Sequence, residues 1–536
     1  MGSVVNCDVL IVGAGFSGMY GLYRLRKLGL KVKAFEAGSD FGGVWYWNRY
    51  PGARVDSEWP FYQLSLPEVW KDWNFTERFP DHNEIRAYFH HVDKVLDLRK
   101  DIEFDARVNS CVWDGTEGRW TVKTVAGHLA MCKYLFLCTG LLYQRHYPDF
   151  PGFEKYKGVV HHSGFWPDHL DMTGKKVAVI GAGATSVQIV QDLTKVASQL
   201  DMYMRRPSLC LPMAQRDISE AEQDCLKPYY GTLFKQGRKS AGGYPRYPPD
   251  CSIFDVSDQE REDYYEHLWK AGSFGFGASN YKEIWVDLKA NRLAYDFWAK
   301  KTRARISDPK KRDLMAPLEP PYPILTKRSP LEQDYYETLD SNHVEIVDLK
   351  TTPIKTFSEN GIVTADGKER EYDYVILATG FDSFTGSVSN MGLKSRDGED
   401  IKDLWSKTGI STYLGIMIRG FPNCFMVYSP QAPTALSNGP TILECQVDWV
   451  VDAIEKLEKE GVKSIEPKQE AQDAWGEMIT SMSQQTLFPL TNSWWTGGNI
   501  PGKKVQMLTY TRGIGEYEPQ CRETLDSWKG FEVASA

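Results

Sequence analysis

Short, mainly apolar stretches recur along the chain and alternate with segments of helical periodicity. Residues 7–12 and 31–35 form a first pair of such stretches, and 175–180 and 200–204 form a second pair. The segment between the first two has apolar residues at helical spacing, namely Leu22, Leu25 and Leu28. A strand, a helix and a second strand predict a β-α-β unit of a parallel sheet. The pattern therefore predicts an α/β fold with two such units.

The first unit carries a glycine-rich turn between its strand and its helix. Gly13 allows the tight turn, Gly15 lets the backbone approach a pyrophosphate, and Gly18 lets the helix pack closely against the strand. The second strand ends in Glu36, about 20 residues further on, where a carboxylate suits a free ribose 2′-hydroxyl. This unit is predicted to bind a dinucleotide that lacks a 2′-phosphate.

The second unit repeats the turn with a different strand end. Gly181 and Gly183 are followed by Thr185 and by Ser186, a small residue in place of the third glycine. Arg205 stands where the first unit has its acid, and a guanidinium there pairs with a 2′-phosphate, which predicts NADPH. The alternative is a solvated surface arginine. Two unlike nucleotide sites in one chain indicate a flavoprotein that NADPH reduces.

Composition excludes several other classes of protein. The chain has 536 residues, enough for several domains, and its net charge of −8 argues against a general electrostatic grip on nucleic acid or on anionic membrane. Its 10 cysteines include no Cys-x-x-Cys pair, which argues against a metal site or a disulfide framework. Without a signal segment or a long apolar run, a cytoplasmic protein is expected.

Residues 156–167 resemble the fingerprint of the type I Baeyer–Villiger monooxygenases, a group of class B flavoprotein monooxygenases. Gly158, His162 and Trp166 match it, together with Pro167, and Tyr156 replaces its usual phenylalanine. The resemblance implies that His162 is a hinge or interdomain hydrogen-bonding residue rather than an acid or base. Trp166 is expected to pack in the same linker.

Further segments extend the resemblance over nearly the whole chain. Residues 42–56 are similar to the segment on the flavin side, which implies FAD contacts for Gly43, Trp45 and Asp56. Residues 326–328 resemble the segment that supplies the active-site arginine, and 493–503 resemble a loop whose tryptophan closes over the nicotinamide. That loop departs from the family in Trp495 and Gly498.

The resemblance also implies roles for individual side chains. Arg328 would hold a fixed positive charge in the active site and Asp56 would hold that arginine in place. Lys327 would join Arg205 on the 2′-phosphate, and Trp494 would cover the nicotinamide. The alternatives are structural: Arg328 binds a phosphate or caps a helix, Asp56 is a turn residue, Lys327 is solvent-exposed and Trp494 belongs to the core.

Two Rossmann-like dinucleotide-binding domains, for FAD and NADPH, with a helical insertion are therefore expected. The predicted FAD-binding domain comprises 1–145 and 373–536, with a lid loop near 490–505, and the linker and NADPH-binding domain comprise 146–213 and 324–372. The helical insertion is 214–323, and its residues 240–249 are rich in Gly and Pro, which predicts a loop.

The resemblance implies a Baeyer–Villiger monooxygenase that converts ketones to esters or lactones with NADPH and O2, through an FAD peroxide. We expect a monomer whose partners are a small-molecule ketone and O2, with no metal, nucleic acid or membrane. One alternative is a flavin monooxygenase that oxygenates nitrogen or sulfur. A flavoprotein reductase or NADPH oxidase and a non-catalytic NADPH-binding protein are further alternatives.

Overall fold

The computed structural model describes residues 4–535, and its first sheet is built around the N-terminal strand. In spatial order its strands are Ile102–Glu103, Val32–Phe35, Val4–Val12, Leu129–Leu137, Arg119–Thr124 and Val108–Asp114, and Cys424–Met426 also pairs with Leu129–Leu137. The pairs around Val4–Val12 are parallel, with Val9 opposite Val32 and Tyr134. The three strands from Val108 to Leu137 form an antiparallel meander.

The second sheet is wholly parallel. Its strands, in spatial order, are Val344–Asp348, Gln199–Met204, Lys176–Ile180, Tyr374–Leu377 and Val159–His162. The predicted domain boundary at residue 373 therefore precedes a strand of this sheet, and we propose that the boundary lies after that strand. A four-residue apolar strand carries no sequence signal for the sheet that it joins.

The remaining strands form small sheets. Ile354–Phe357, Gly361–Thr364 and Glu369–Glu371 are antiparallel, Leu211–Pro212 pairs with Leu331–Glu332, and Val462–Pro467 pairs with Phe531–Ser535.

Helices cover the sheets and fill the predicted insertion. The helices of the first 200 residues are Phe16–Arg26, Val44–Trp47, Pro67–Trp70, His82–Leu96 and Ala184–Leu193. Those between the strands of the second sheet are Glu220–Leu226, Tyr230–Lys239, Asp258–Ala271, Gly275–Ala278, Leu288–Arg303, Pro309–Met315 and Tyr335–Asp340. The C-terminal helices are Gly386–Ser389, Ile401–Thr408, Gly439–Lys459, Gln469–Gln484 and Ile514–Ser527. None of the helices in residues 4–535 is long and apolar enough to cross a membrane.

Burial explains why the centres of the parallel strands are mostly apolar. Val9, Leu10 and Ile11 are fully buried, as are Val177 and Val179 in the second sheet, so both faces of these strands are covered. Each glycine-rich turn follows such a strand, at the carboxyl edge where open α/β sheets bind their ligands. The α/β prediction is confirmed, and the fold places two equivalent turns at the edges of two sheets.

Candidate active site

The first glycine turn is closed by contacts that leave no room for a side chain. Gly13 has a φ of 109°, and a Cβ there would lie 2.4 Å from the carbonyl oxygen of Cys138. A Cβ on Gly18 would lie 1.9 Å from the carbonyl oxygen of Gly13. Gly15 instead faces Gly43, whose Cβ would lie 3.1 Å from the Gly15 Cα. The backbones of these two segments thus form one wall of the predicted flavin site.

The second turn has the same geometry. Gly181 has a φ of 129°, and a Cβ there would lie 2.2 Å from the carbonyl oxygen of Ala378. Around Gly183, by contrast, the structure leaves open space. Ser186 is fully buried and its hydroxyl has no hydrogen-bond partner in the described chain, whereas Thr185 beside it is half-buried. Ser186 therefore takes the close-packed position of the third glycine.

Glu36 is folded back beneath the first turn. One carboxylate oxygen accepts a hydrogen bond from the Ala14 N–H at 2.6 Å and the other accepts one from the Gly38 N–H at 2.8 Å. Burial raises the pKa of Glu36, and these backbone hydrogen bonds oppose the shift. The acid predicted to bind a ribose hydroxyl thus lies directly at the turn.

Three cations gather at the corresponding end of the second unit. Arg205 and Arg206 are exposed, and both act electrostatically on the half-buried Lys327. Burial and then the charges of these two arginines lower the pKa of Lys327 to about 8. Its ammonium lies 4.7 Å from the centre of the Tyr322 ring. Within residues 4–535, no carboxylate forms an ion pair with any of the three, so their charge is available to an anion.

Arg328 and Asp56 meet across the two units. Nε and Nη2 of Arg328 each donate to one carboxylate oxygen of Asp56, both at 2.8 Å, and Nη1 donates to the carbonyl oxygen of Ala435 at 2.7 Å. Burial lowers the pKa of Arg328, but the charge and hydrogen bonds of Asp56 outweigh it, so the pKa lies above its ordinary value. The guanidinium is therefore permanently charged and held at three points.

Aromatic rings surround this pair. The Phe274 ring centre lies 4.7 Å from the Arg328 guanidinium carbon, and Tyr244 and Tyr428 interact electrostatically with the same group. The Tyr244 hydroxyl donates to Ser57 Oγ at 2.6 Å. These side chains line the predicted oxygenation site with apolar surface.

Two neighbours of Arg328, the Tyr244 ring and the Ala435 carbonyl, were not predicted from the sequence. Tyr244 lies in the Gly- and Pro-rich loop of the insertion yet is only 6% exposed, packed 5.6 Å from the Phe61 ring. An aromatic residue between Gly-Gly and Pro was the available signal for a buried position. The Ala435 carbonyl had no signal at all, because every residue has one.

The segment that carries Asp56 is also fixed by ion pairs of Glu58, two residues further along the chain. The buried carboxylate of Glu58 accepts from Arg78 Nε at 2.9 Å and from Arg246 Nε at 3.1 Å. Arg246 belongs to the same insertion loop as Tyr244. The segment that presents Asp56 is therefore fixed by charged hydrogen bonds to the insertion.

The predicted flavin-side residues Gly43 and Trp45 begin a short helix. Trp45 is buried and its Nε1 donates to the Tyr62 hydroxyl at 2.9 Å. This contact fixes the indole against the first unit, on the side of the molecule that carries Gly15.

The fingerprint segment lies along an edge of the second sheet. A Cβ on Gly158 would lie 2.2 Å from the Tyr156 hydroxyl, so a larger residue there would displace the Tyr156 ring. His162 Nδ1 accepts from the Gly164 N–H and Nε2 donates to the Gly380 carbonyl oxygen, both at 3.0 Å. Burial lowers the pKa of His162 to about 4, so the ring is neutral at pH 7. Trp166 is buried beside the ring of His161.

Trp494 lies in the C-terminal loop, which we define as residues 493–503. Its ring is half-buried, 5.7 Å from Phe384 and 5.5 Å from Trp495. The ring is therefore neither a core side chain nor fully exposed, and it packs on the turn that follows the last strand of the second sheet.

The residues present fit two dinucleotides. The helices Phe16–Arg26 and Ala184–Leu193 each begin at a glycine, without a side-chain cap and without an acid in the first turn. The helix His82–Leu96, by contrast, is capped by Asp81. Uncapped backbone N–H groups at a glycine turn suit a pyrophosphate, and the three cations at the second unit suit a 2′-phosphate.

Sequence comparison identifies close relatives over nearly the full length. Residues 6–217 match the family model described as flavin-binding monooxygenase-like. The FAD-binding monooxygenase acrE of Aspergillus aculeatus is 45% identical over 533 residues, 99% of this chain and 90% of that protein. Cyclopentanone 1,2-monooxygenase of a Comamonas species is 40% identical over 98% of this chain and 96% of its own length. Phenazine N-monooxygenase PhzNO1 of Lysobacter antibioticus is 36% identical over 98% of this chain and 97% of its own length.

Comparison with solved structures gives the same family. An oxidized steroid monooxygenase bound to NADP is 38% identical, with a TM-score of 0.93 over 99% of this chain and 100% of the other. The chain therefore belongs to the flavin-binding monooxygenases, the family that includes the Baeyer–Villiger monooxygenases, and its cofactors are FAD and NADP.

Proposed function

We propose that the chain is a Baeyer–Villiger monooxygenase that uses NADPH and O2 to convert ketones into esters or lactones. When bound, FAD accepts hydride from NADPH and supplies the activated oxygen. The observation that carries the proposal is the guanidinium of Arg328, which is held by Asp56 and by the Ala435 carbonyl.

Arg328 has the donors that attack on a carbonyl requires. A guanidinium has five N–H groups, and the hydrogen bonds to Asp56 and Ala435 engage one each on Nε, Nη1 and Nη2. One N–H on each terminal nitrogen is left for the substrate. Negative charge develops on the ketone oxygen during attack, and a preorganised cation there stabilises it. Because arginine stays charged, it does not supply a proton that would quench the oxidant.

Asp56 acts through the arginine. Its carboxylate accepts two parallel hydrogen bonds from Arg328, which fixes both the position and the direction of the guanidinium. The side chains of Arg328 and Asp56 are 23% and 29% exposed, so solvent weakens the pair only in part. We propose Arg328 as the catalytic residue and Asp56 as the residue that positions it beside the flavin.

The remaining predicted residues are proposed to bind the cofactors. Around FAD these are Gly13, Gly15, Gly18, Glu36, Gly43 and Trp45. Around NADPH they are Gly181, Gly183, Thr185, Ser186, Arg205, Lys327 and Trp494. The linker residues Gly158, His162 and Trp166 shape the junction between the two units, and neutral His162 supports a hydrogen-bonding role rather than proton transfer. We also propose a monomer.

A second candidate is oxygenation of nitrogen or sulfur. The 36% identity to a phenazine N-monooxygenase favours it. Such a substrate is itself the nucleophile and develops no oxyanion at a carbonyl, so it gains nothing from the free N–H groups of Arg328. The fixed guanidinium therefore favours ketones.

The test compares substrates and variants in one assay. The holoenzyme is reduced with NADPH without oxygen and then mixed with O2 and either cyclic, aliphatic and aryl ketones or a sulfide and an aromatic N-heterocycle. We expect ester or lactone from at least one ketone. In Arg328→Ala, ester formation should fall by about 100-fold or more, as for loss of an oxyanion donor, while NADPH is still consumed and H2O2 appears.

Arg328→Lys is the matched control, because it keeps the charge and loses the paired geometry. It should retain more activity than the alanine variant but less than the wild type. If every ketone yields only H2O2 while the sulfide or the heterocycle is oxygenated, the ketone proposal is wrong and the second candidate replaces it.

A further inference from the structure

We propose that Lys503 and Asp382 are positioning residues that hold the C-terminal loop closed over bound NADP. The proposal rests on the proposed placement of NADP at the second unit. It goes beyond that function because it names the contact that retains the cofactor.

The ammonium of Lys503 is held by three acceptors on one turn. It donates to Asp382 Oδ1 at 2.6 Å, to Thr385 Oγ1 at 2.7 Å and to the Ser383 carbonyl oxygen at 3.3 Å. An ammonium has three N–H groups, and all three have acceptors here. The side chains of Lys503 and Asp382 are 14% and 26% exposed, so the pair is shielded from much of the solvent.

Two other contacts tie the loop to the same turn, residues 381–385, which we call the loop anchor. Asn499 Nδ2 donates to the Phe381 carbonyl oxygen at 3.0 Å, and Trp494 packs on Phe384. The Lys503 stem runs beneath Gly497, where a Cβ would lie 3.3 Å from Cδ of the lysine. Lys503 therefore supports the segment that carries Trp494 and fixes its distance from the anchor.

The loop anchor is itself rigidly placed. It follows Gly380, whose carbonyl oxygen accepts from His162 and from the His146 N–H, and Thr379 donates to the His146 carbonyl oxygen. These bonds tie the anchor to the second sheet. Two residues before the loop begins, the hydroxyls of Thr491 and Thr326 lie 2.6 Å apart, next to Lys327.

The physical consequence concerns the exchange of NADP. A loop held at both ends to the unit that carries the three cations must release one end before a ligand beneath it can leave. Removing either partner of a partly buried ion pair leaves the other unpaired, which favours the released loop. The pair formed by Lys503 and Asp382 therefore opposes the opening step.

The next residue provides a matched control. Lys504 is exposed and donates to the Thr408 carbonyl oxygen at 3.2 Å, and it has no ion-pair partner in the described part of the chain. Lys504→Met removes the same charge one residue after the loop without touching the anchor.

The experiment measures release of NADP from the oxidised holoenzyme by stopped-flow flavin absorbance, with no ketone present. Lys503→Met and Asp382→Asn should each accelerate release by about tenfold, the equivalent of about 1.4 kcal/mol. The double variant should be no faster than the faster of the two singles, because either substitution removes the same ion pair. Lys504→Met should release NADP at the wild-type rate. Flavin content and the unfolding midpoint show whether each variant is folded.

Three results would overturn the proposal: wild-type release in Lys503→Met, equal acceleration in Lys504→Met, or additive effects in the double variant. If Lys503→Met does not fold, Asp382→Asn and Asp382→Ser test the same contact from the other side. The assay contains no ketone, so it is independent of the reaction class. An enzyme that oxygenates only nitrogen or sulfur would still show the effect.

Discussion

The two glycine turns are nearly identical in backbone, although they are proposed to bind different cofactors. The Gly13 N–H donates to the Phe35 carbonyl oxygen at 2.8 Å, and the Gly181 N–H donates to the Tyr203 carbonyl oxygen at 2.9 Å. Each turn also packs against the carbonyl of a residue that follows a neighbouring strand, Cys138 or Ala378. These backbone contacts are common to both turns, so they do not distinguish one dinucleotide from another.

The two units differ in the residues that end the second strand of each β-α-β unit. Glu36 is 4% exposed and both of its oxygens accept backbone hydrogen bonds, so it is part of the first turn. Arg205 and Arg206 are exposed and have no carboxylate partner in residues 4–535, so they extend from the second turn towards solvent. A buried acid suits a neutral ribose in a resident cofactor, and exposed cations suit a phosphate that comes and goes. We therefore propose that the end of the second strand of each unit sets the choice of dinucleotide.

Substitution in the turns themselves should have the largest effect. Gly13→Ala places a methyl group 2.4 Å from a carbonyl oxygen at a positive φ, which costs more than about 3 kcal/mol unless the turn opens. We expect little folded, FAD-containing protein. Gly181→Ala should retain FAD, measured by absorbance, but be reduced by NADPH at least about 100-fold more slowly.

Gly29→Ala is the control for these two changes. Gly29 also has a positive φ, of 80°, but nothing lies within 4 Å of the added Cβ. Only the backbone penalty remains, about 1 kcal/mol, so flavin content and reduction should stay near the wild type. If Gly181→Ala also loses FAD, the two turns are not independent and the comparison between them fails.

Substitution of Arg205, at the end of the second strand of the second unit, should change the preference for NADPH over NADH more than it changes kcat. Arg205→Ala removes a charged hydrogen bond worth about 2 kcal/mol, so the KM for NADPH should rise about 30-fold while that for NADH and kcat change little. Steady-state kinetics with both cofactors measure this. Arg206→Ala should have a smaller effect, because Arg205 is the position equivalent to the acid of the first unit. If Arg206→Ala has the larger effect, the 2′-phosphate is bound by Arg206 and the prediction for Arg205 is wrong.

Sequence predicted the features that depend on local spacing. The glycines, Glu36 and Arg205 lie at fixed distances along a β-α-β unit, so the chain itself positions them. The α/β fold and both cofactors followed from these residues and from the family resemblance, and they are confirmed. The resemblance also suggested that Asp56 and Arg328 pair, and they lie in contact in the folded chain.

Contacts between distant segments had no such signal. The anchor for Lys503 is 121 residues away, and the Ala435 carbonyl that holds Arg328 is 107 residues away. Neither spacing repeats, and a carbonyl is common to all residues. The strand Tyr374–Leu377 joins the second sheet although its sequence fits either one. These features follow from tertiary packing, which one sequence does not encode as a pattern.

The smallest expected effect is a pH dependence that only the second unit should show. Burial and the repulsion of Arg206 and Arg205 lower the pKa of Lys327 from 10.5 to about 8. Above pH 8 the free enzyme loses this charge, so NADPH affinity should fall as pH rises. The fall should total about tenfold, the change expected if a bound phosphate raises the pKa of Lys327 by about one unit. Affinity for FAD should not follow this curve.

Lys327→Arg sharpens the test because arginine stays charged throughout this range. Titrations of NADP+ against each enzyme between pH 7 and 9.5 should give a falling affinity in the wild type and a nearly flat one in the variant. Stability should respond in the opposite sense. The folded pKa lies below the unfolded value of 10.5, so the folded state binds fewer protons between pH 8 and 10.5 and this group's contribution to the free energy of unfolding rises with pH. A flat NADP+ affinity in the wild type would show that Lys327 does not contact the phosphate and would leave Arg205 and Arg206 as its only cations.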